Sequence, residues 1–270
     1  MLAITDTEFE QIKKIMYART GVFLKPSKKQ LVVTRLRKRL EQLDLEQFQE
    51  YIHLLEKNQG DELEFFINAL TTNETYFFRH TKQFNYLYEK ILPELKSKPG
   101  REIRIWCAAC STGEEPYSVA ITCQEFFRHN PGGRYSIYAS DVNSDVLSFA
   151  RTGQYLERSF KETPPNLTTR YFSQTENVAK VRKEFVIKQN LKKNIRFMQH
   201  NLLKPFAEKK IDVIFLRNVM IYFDNDSKSK VVNNLISSLS PGGYIMISLS
   251  ESLNDVSSPL TNIFSGVYKL

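Results

Sequence analysis

The sequence predicts an α/β protein: a mostly parallel sheet flanked by helices, preceded by an all-helical segment. Three observations predict it. Up to about residue 98 the apolar residues recur at helical spacing, and the strong breakers are few: Gly21, Pro26, Gly60 and Pro93. From Arg101 onward, short β-rich runs alternate with amphipathic stretches. The 19 Phe and 13 Tyr are too many for a solvated coil, so the chain has material for a packed core.

Val32, Leu36, Leu40 and Leu43 place one helix face over 29–43. Phe48, Ile52 and Leu55 repeat the pattern, as do Leu63, Phe66 and Leu70. Together these predict a helical domain over 1–80. A linker helix within 81–98, from Lys82 to about Leu95, leads into a third unit over 99–270. Its strands are expected at Ile103–Trp106, Tyr135–Ala139, Ile195–Met198, Val213–Leu216 and Tyr244–Ile247. Helices are expected at Tyr117–Phe127, Val146–Arg151 and Lys228–Leu239, with Pro241-Gly242-Gly243 as a sharp helix-to-strand turn. Residues 153–193 hold 9 basic and 4 acidic residues and Pro164-Pro165, too long a stretch for a simple βα connection. They are read as a helix and loop followed by a strand-rich insertion over about 170–192, its strands around Lys180–Ile187.

Composition bounds the function. Three cysteines (Cys107, Cys110 and Cys123) are too few and of the wrong parity for a disulfide scaffold, which fits a reducing cytosol. The first ten residues carry three acids and no base, the wrong charge for a signal or transit peptide. No run approaches the roughly 18 apolar residues of a membrane span. The expectation is a cytoplasmic protein without membrane insertion. The net charge of +8 points to an acidic partner of unspecified kind.

Ligands of an open α/β sheet bind at the carboxyl ends of its strands, so the residues following each strand are the candidates. After the first comes Cys107-Ala108-Ala109-Cys110-Ser111-Thr112-Gly113-Glu114-Glu115-Pro116-Tyr117-Ser118. Small residues allow a tight turn, Thr112 is a candidate helix cap, and Pro116 suits a first helical turn. Two carboxylates at that helix start would repel a pyrophosphate and suit a cationic ligand; a plain capped helix with surface acids is the other reading. There is no G-x-G-x-x-G. Asp141, at the end of the second strand and 28 residues beyond Gly113, stands where a carboxylate can accept from both ribose hydroxyls, although Asp141 or Asn143 could instead be a helix cap. Arg217 and Asn218 follow the apolar strand Val213–Leu216; a buried structural arginine is the alternative there.

Taken together, these stretches resemble the CheR family of chemotaxis receptor methyltransferases. The resemblance rests on Leu70-Thr71-Thr72-Asn73-Glu74-Thr75-Tyr76-Phe77-Phe78-Arg79, Trp106 through Ser118, Ala139-Ser140-Asp141-Val142, Asn201-Leu202-Leu203 and Arg217-Asn218-Val219-Met220-Ile221-Tyr222-Phe223. Gly21-Val22-Phe23-Leu24 and Arg35-Leu36-Arg37-Lys38-Arg39-Leu40 extend it over nearly the whole chain. It implies a helical domain packed on a Rossmann-like methyltransferase domain, with a seven-stranded sheet and a small antiparallel β insertion. The implied reaction moves a methyl group from S-adenosylmethionine (AdoMet) to glutamate side chains of chemoreceptors, giving methyl esters and S-adenosylhomocysteine. Carried over motif by motif, Asn73, Thr75 and Arg79 close over the cofactor. Glu115 approaches its methionine portion, Asp141 its ribose, and Asn201 and Leu202 its adenine. Arg217 and Asn218 contact it near the fourth strand, and Arg79 and Tyr222 lie closest to the transferred methyl. No metal is implied.

The cationic first-turn ligand that the carboxylates suggested is then the AdoMet sulfonium and ammonium. Cys107-Ala108-Ala109-Cys110 has no second ligand pair, so a zinc or redox reading is set aside. A nucleic-acid methyltransferase would be expected to carry an N-P-P-Y type motif where Arg217-Asn218-Val219-Met220 stands, which argues against a nucleic-acid partner. An adaptor that binds AdoMet without turnover is the other rival. Lys25–Arg39 holds 7 basic residues and no acid, with Lys28, Arg35 and Arg39 on one face. That is either a solvated face or, as the resemblance implies, a surface that docks on an acidic receptor helical bundle. In the family it resembles, some members grip a receptor tail peptide with a longer, glycine-bearing insertion loop; here Ser173–Lys180 is short and glycine-free, so the resemblance implies a form that does not depend on that peptide. A monomer is the default expectation.

Overall fold

The computed structural model describes residues 3–57, 60–98, 100–177 and 182–270. Four helices come first: α1 (Asp6–Thr20), α2 (Lys29–Gln42), α3 (Phe48–Lys57) and α4 (Asp61–Leu70). Thr5 and Glu8 start α1 as a reciprocal capping box, and Gly21, at φ 75°, ends it by donating to the Tyr17 carbonyl. The apolar faces of these helices meet in one core containing Val32, Leu36, Leu40, Phe48, Ile52, Leu63, Phe66 and Leu70. A buried polar knot lies at its edge: the Glu62 carboxylate accepts from Tyr51 Oη at 2.7 Å and from Arg39 Nε at 3.1 Å. Glu62→Ala would leave the buried Tyr51 hydroxyl without a partner. The expected cost is about 2–3 kcal/mol, read as a lower urea midpoint at unchanged m.

The expected linker helix is present but interrupted. α5 (Thr81–Tyr86) and α6 (Leu92–Lys96) are joined by a π-helical turn, Leu87–Ile91. Pro93 explains it: it has no N–H to donate, and its ring crowds the Glu89 carbonyl, so the preceding turn widens.

The remainder forms an α/β domain. Its elements are β1 (Glu102–Cys107), α7 (Glu114–His129), β2 (Arg134–Asp141), α8 (Ser144–Thr152), β3 (Gln154–Leu156), α9 (Pro165–Tyr171), β4 (Phe172–Asn177), β5 (Arg182–Ile187), α10 (Gln189–Lys192), β6 (Ile195–Gln199), β7 (Ile211–Leu216), α11 (Asn225–Ile236), β8 (Leu239–Ile247), β9 (Thr261–Phe264) and β10 (Val267–Lys269). The seven-stranded sheet runs β6-β2-β1-β7-β8-β10-β9, parallel from β6 to β8 and antiparallel at β10 and β9. Chain order reverses between β1 and β7, which puts a topological switch point at the sheet centre.

Most element ends lie within a few residues of the sequence expectation, but the α11–β8 junction and the insertion differ from it in kind. α11 stops at Ile236, and β8 already starts at Leu239, which pairs with Ile211. Pro241-Gly242-Gly243 is therefore a bulge inside a strand, with the register passing from Ile211↔Leu239 to Val213↔Tyr244. The insertion is an antiparallel sheet of order β3-β5-β4, so it recruits Gln154–Leu156 from upstream of the 170–192 stretch. Three residues are too short a run to carry a readable alternation. Within the Ser173–Lys180 stretch, residues 178–180 lie outside the described residues.

The insertion supports the segment between the two halves of the molecule. Phe77 is fully buried against Phe160 (ring centroids 4.8 Å apart), Phe172 (5.0 Å) and Tyr155 (4.8 Å). Its backbone N–H donates to the Ser159 carbonyl at 2.9 Å, and that of Phe78 to Ser118 Oγ at 2.9 Å. The strap 73–79 is thereby fixed along the carboxyl edge of the sheet.

Candidate active site

A cavity of about 330 Å³ opens at the switch point, between the helical bundle and the sheet. Its lining includes Asn73, Thr75, Arg79, Glu115, Asp141, Asn201, Leu202, Arg217, Asn218 and Tyr222, so all ten predicted site residues come together.

The floor is an ion pair. Arg217 Nη1 donates to Glu115 Oε2 at 2.9 Å, and both side chains are nearly out of solvent. Arg217 also donates to the Arg79 carbonyl, which ties the floor to the strap. Burial pushes the Glu115 carboxyl up, and Arg217 offsets this only in part. Glu115 Oε1 is buried with no hydrogen-bond partner among the described residues. A carboxylate in the cavity wall, paired with one guanidinium, suits a cationic ligand such as the AdoMet ammonium better than an anionic one. The neighbouring Glu114 turns away, accepting from Thr112 Oγ1 at 2.6 Å and Ser159 Oγ at 3.2 Å. Thr112 is thus used by Glu114 rather than as a cap. Gly113, at φ 96°, precedes the helix, and a side chain there would meet Ala150 Cβ and Tyr155 Oη at 2.8 Å.

Asp141 ends β2 with both oxygens on backbone donors, Ser111 N–H at 2.8 Å and Asn143 N–H at 3.0 Å. Burial raises its pKa against these bonds. Each oxygen keeps a further lone pair, so the carboxylate is fixed in place with capacity left for a diol. The cap of α8 is Asn143, whose Oδ1 accepts from Asp145 and Val146. Asn143 also donates to Thr71 Oγ1 at 2.7 Å, joining the end of α4 to the sheet. Leu202 offers an apolar wall. Asn201 has a structural duty: Nδ2 donates to the Arg19 carbonyl and Oδ1 accepts from the Leu203 N–H.

The strap and the bundle form the remaining walls. Arg79 Nη1 donates to the Glu74 carbonyl at 2.8 Å, and its guanidinium lies 5.7 Å from the Tyr76 ring centroid. Its other N–H groups have no hydrogen-bond partner among the described residues. Asn73 accepts from Ser111 Oγ through its carbonyl at 2.9 Å, and Thr75 lines the cavity beside it. Tyr222 sits in the short turn Met220–Tyr222, with its carbonyl accepting from the Phe23 N–H at 2.7 Å. Tyr17 Oη donates to Asp224 Oδ2 at 2.8 Å, so α1 is fastened next to that turn.

Lys28, Arg35 and Arg39 do not make one free face. Arg35 donates to the Ala69 and Thr71 carbonyls at 3.3 and 2.6 Å, and Arg39 is held by Glu62. The unpaired carbonyls at the end of α4 and the buried carboxylate attract these guanidinium groups inward. Lys25 and Lys28 are exposed and line the cavity mouth. Cys107, Cys110 and Cys123 are buried free thiols, pushed up by burial. No helix among the described residues is long and apolar enough to cross a membrane.

Residue-level reading of the sequence missed Glu251. Its carboxylate accepts three backbone N–H groups, from Asn218, Met220 and Ser248. An acid four residues past a strand carries no periodic signal that would single it out.

Two family models match this chain: an all-α domain of CheR methyltransferases over residues 7–71, and the SAM-binding domain of CheR methyltransferases over residues 73–268. Curated relatives span nearly the whole length. A "Chemotaxis protein methyltransferase" of Borreliella burgdorferi is 39% identical over 259 residues, covering 93% of this chain and 89% of that protein. One from Salmonella typhimurium is 38% identical over 261 residues, covering 94% and 87%. A "Chemotaxis protein methyltransferase 2" of Vibrio cholerae is 36% identical over 262 residues, covering 95% and 89%.

Proposed function

Because the chain belongs to the CheR methyltransferase family, with its all-α domain followed by its SAM-binding domain, we propose that it methylates glutamate side chains of chemoreceptors. The products are glutamate methyl esters and S-adenosylhomocysteine. The observation that carries the reading is the Glu115–Arg217 ion pair in the wall of the cavity that Asp141 also lines.

AdoMet, when bound, supplies an electrophilic methyl on a sulfonium. The chain's residues bind and align. Glu115 receives the ammonium, Asp141 the ribose hydroxyls, and Leu202 with the backbone of Asn201 flanks the adenine. Asn73, Thr75, Arg217 and Asn218 complete the enclosure. The acceptor glutamate has an ordinary pKa of about 4.3 and is ionised at pH 7, so no general base is needed. Arg79 holds that carboxylate with its free N–H groups, and Tyr222 orients it. The rate gain then comes from alignment of acceptor, methyl and sulfur. No step calls for a metal.

The partner is the receptor's cytoplasmic helical bundle, approached through the exposed Lys25 and Lys28 of the basic segment Lys25–Arg39, at the cavity mouth. The enzyme works as a cytoplasmic monomer recruited to receptor arrays, without a receptor tail peptide.

The test is transfer of labelled methyl from AdoMet to receptor-containing membranes, followed by alkali. The expected result is label in a receptor-sized band, released by base as methanol. Absence of transfer with S-adenosylhomocysteine still bound would instead favour an adaptor. Absence of binding would overturn the cavity assignment itself.

A further inference from the structure

The turn after β7 bends twice in six residues. Asn218 takes φ 59°, the left-handed region, immediately after the strand. Before it, Arg217 pairs with Glu115; after it, Val219, Ile221 and Tyr222 line the cavity wall. A non-glycine residue in that region costs of order 1 kcal/mol and needs a fixed surrounding.

Glu251, 33 residues further along the chain, supplies it. Oε2 accepts from the Asn218 N–H at 3.0 Å and the Ser248 N–H at 2.9 Å, and Oε1 accepts from the Met220 N–H at 2.9 Å. Asn218 Nδ2 adds a bond to Ser248 Oγ at 2.9 Å. The carboxylate therefore straddles Val219 and fastens the β7 turn to the β8 turn. Bonds from N–H groups to a charged acceptor are about twice as strong as neutral ones. Three of them on one carboxylate require an acceptor-only group, a condition a glutamine amide cannot meet because its NH2 would face an N–H.

We propose that Glu251 is a positioning residue for methyl transfer: it clasps the Arg217–Tyr222 turn so that Tyr222 faces the cavity in a fixed place. This rests on the methyltransferase reading above. Nothing in the geometry brings Glu251 to the reacting atoms; it acts through Tyr222.

The test is a double-mutant cycle on the full chain with Glu251→Gln and Tyr222→Phe. Glu251→Gln is expected to lower kcat about 10- to 100-fold, since an ångström of misplacement costs that order, with little change in receptor KM. In the Tyr222→Phe background the same substitution should cost less than about threefold, because the residue it positions no longer contributes. An equal loss in both backgrounds, or kcat within about twofold of wild type, would overturn the proposal. Should Glu251→Gln not fold, Glu251→Asp keeps both acceptor oxygens one methylene short, and the same comparison decides. Independently of turnover, the Tyr222 ring resonance in carbon-13 tyrosine-labelled protein should shift in Glu251→Gln and stay put in Glu10→Gln. An unmoved resonance overturns the proposal even if the acceptor proves not to be a receptor. Absent transfer by the wild-type protein would count against the methyltransferase reading alone.

Discussion

Arg79→Ala is expected to lower kcat for receptor methylation by about 10²- to 10³-fold, the scale of removing one donor that holds a reacting group in place. The affinity for S-adenosylhomocysteine should change by less than about threefold. The split follows from the side chain's bonds. Arg79 spends one N–H on the Glu74 carbonyl, and the others have no hydrogen-bond partner among the described residues. Its tie to the cofactor floor is made by its backbone carbonyl, which accepts from Arg217 and survives the substitution. Calorimetric titration of S-adenosylhomocysteine beside a saturation curve in receptor measures both quantities. Equal losses in both would mean that Arg79 acts on the cofactor and not on the acceptor carboxylate.

Asp141→Asn should act in the opposite way, weakening S-adenosylhomocysteine about 10²-fold while kcat at saturating AdoMet recovers to within severalfold of wild type. A charged acceptor serving two hydroxyls is worth about 3 kcal/mol, and an amide keeps only one acceptor atom. The same carboxylate sets a pH dependence. Burial raises its pKa, with the Asn143 and Ser111 N–H groups opposing, so the net position is above that of an ordinary aspartate. Only the ionised form accepts from both hydroxyls. Affinity is therefore full above the raised pKa and falls as pH drops through it, starting at higher pH than the usual value of about 3.9. Asp141→Asn removes the Asp141 part of that acid limb. Titrations across the mildly acidic range check the sign; affinity that rose on acidification would count against the assignment.

Much of the site was legible because it is written locally. The sheet side of the cavity is built at strand ends: Ala108–Glu115 after β1, Asp141 at the end of β2, Arg217–Asn218 after β7. Strand ends at a switch point are where ligands bind, whatever the fold's purpose. The helix faces were legible for the same reason, since a period of 3.6 shows within a dozen residues. Short elements were not: β3 has three residues, and the bulge in β8 looks like a turn until its pairing with β7 is seen.

The sequence by itself determined the fold class and the residue types at the strand ends, because periodicity and strand-end chemistry are short-range properties. Tertiary structure decided which polar partners those residues take. Arg35 and Arg39 read as a free basic face, but carbonyls and a carboxylate 23 to 36 residues away draw them inward. Glu251 carries no local mark, yet it meets Asn218 across 33 residues and holds it in the left-handed region. A buried polar group must find its bond wherever the fold brings a partner, and that choice is made by packing over distances no sequence window spans.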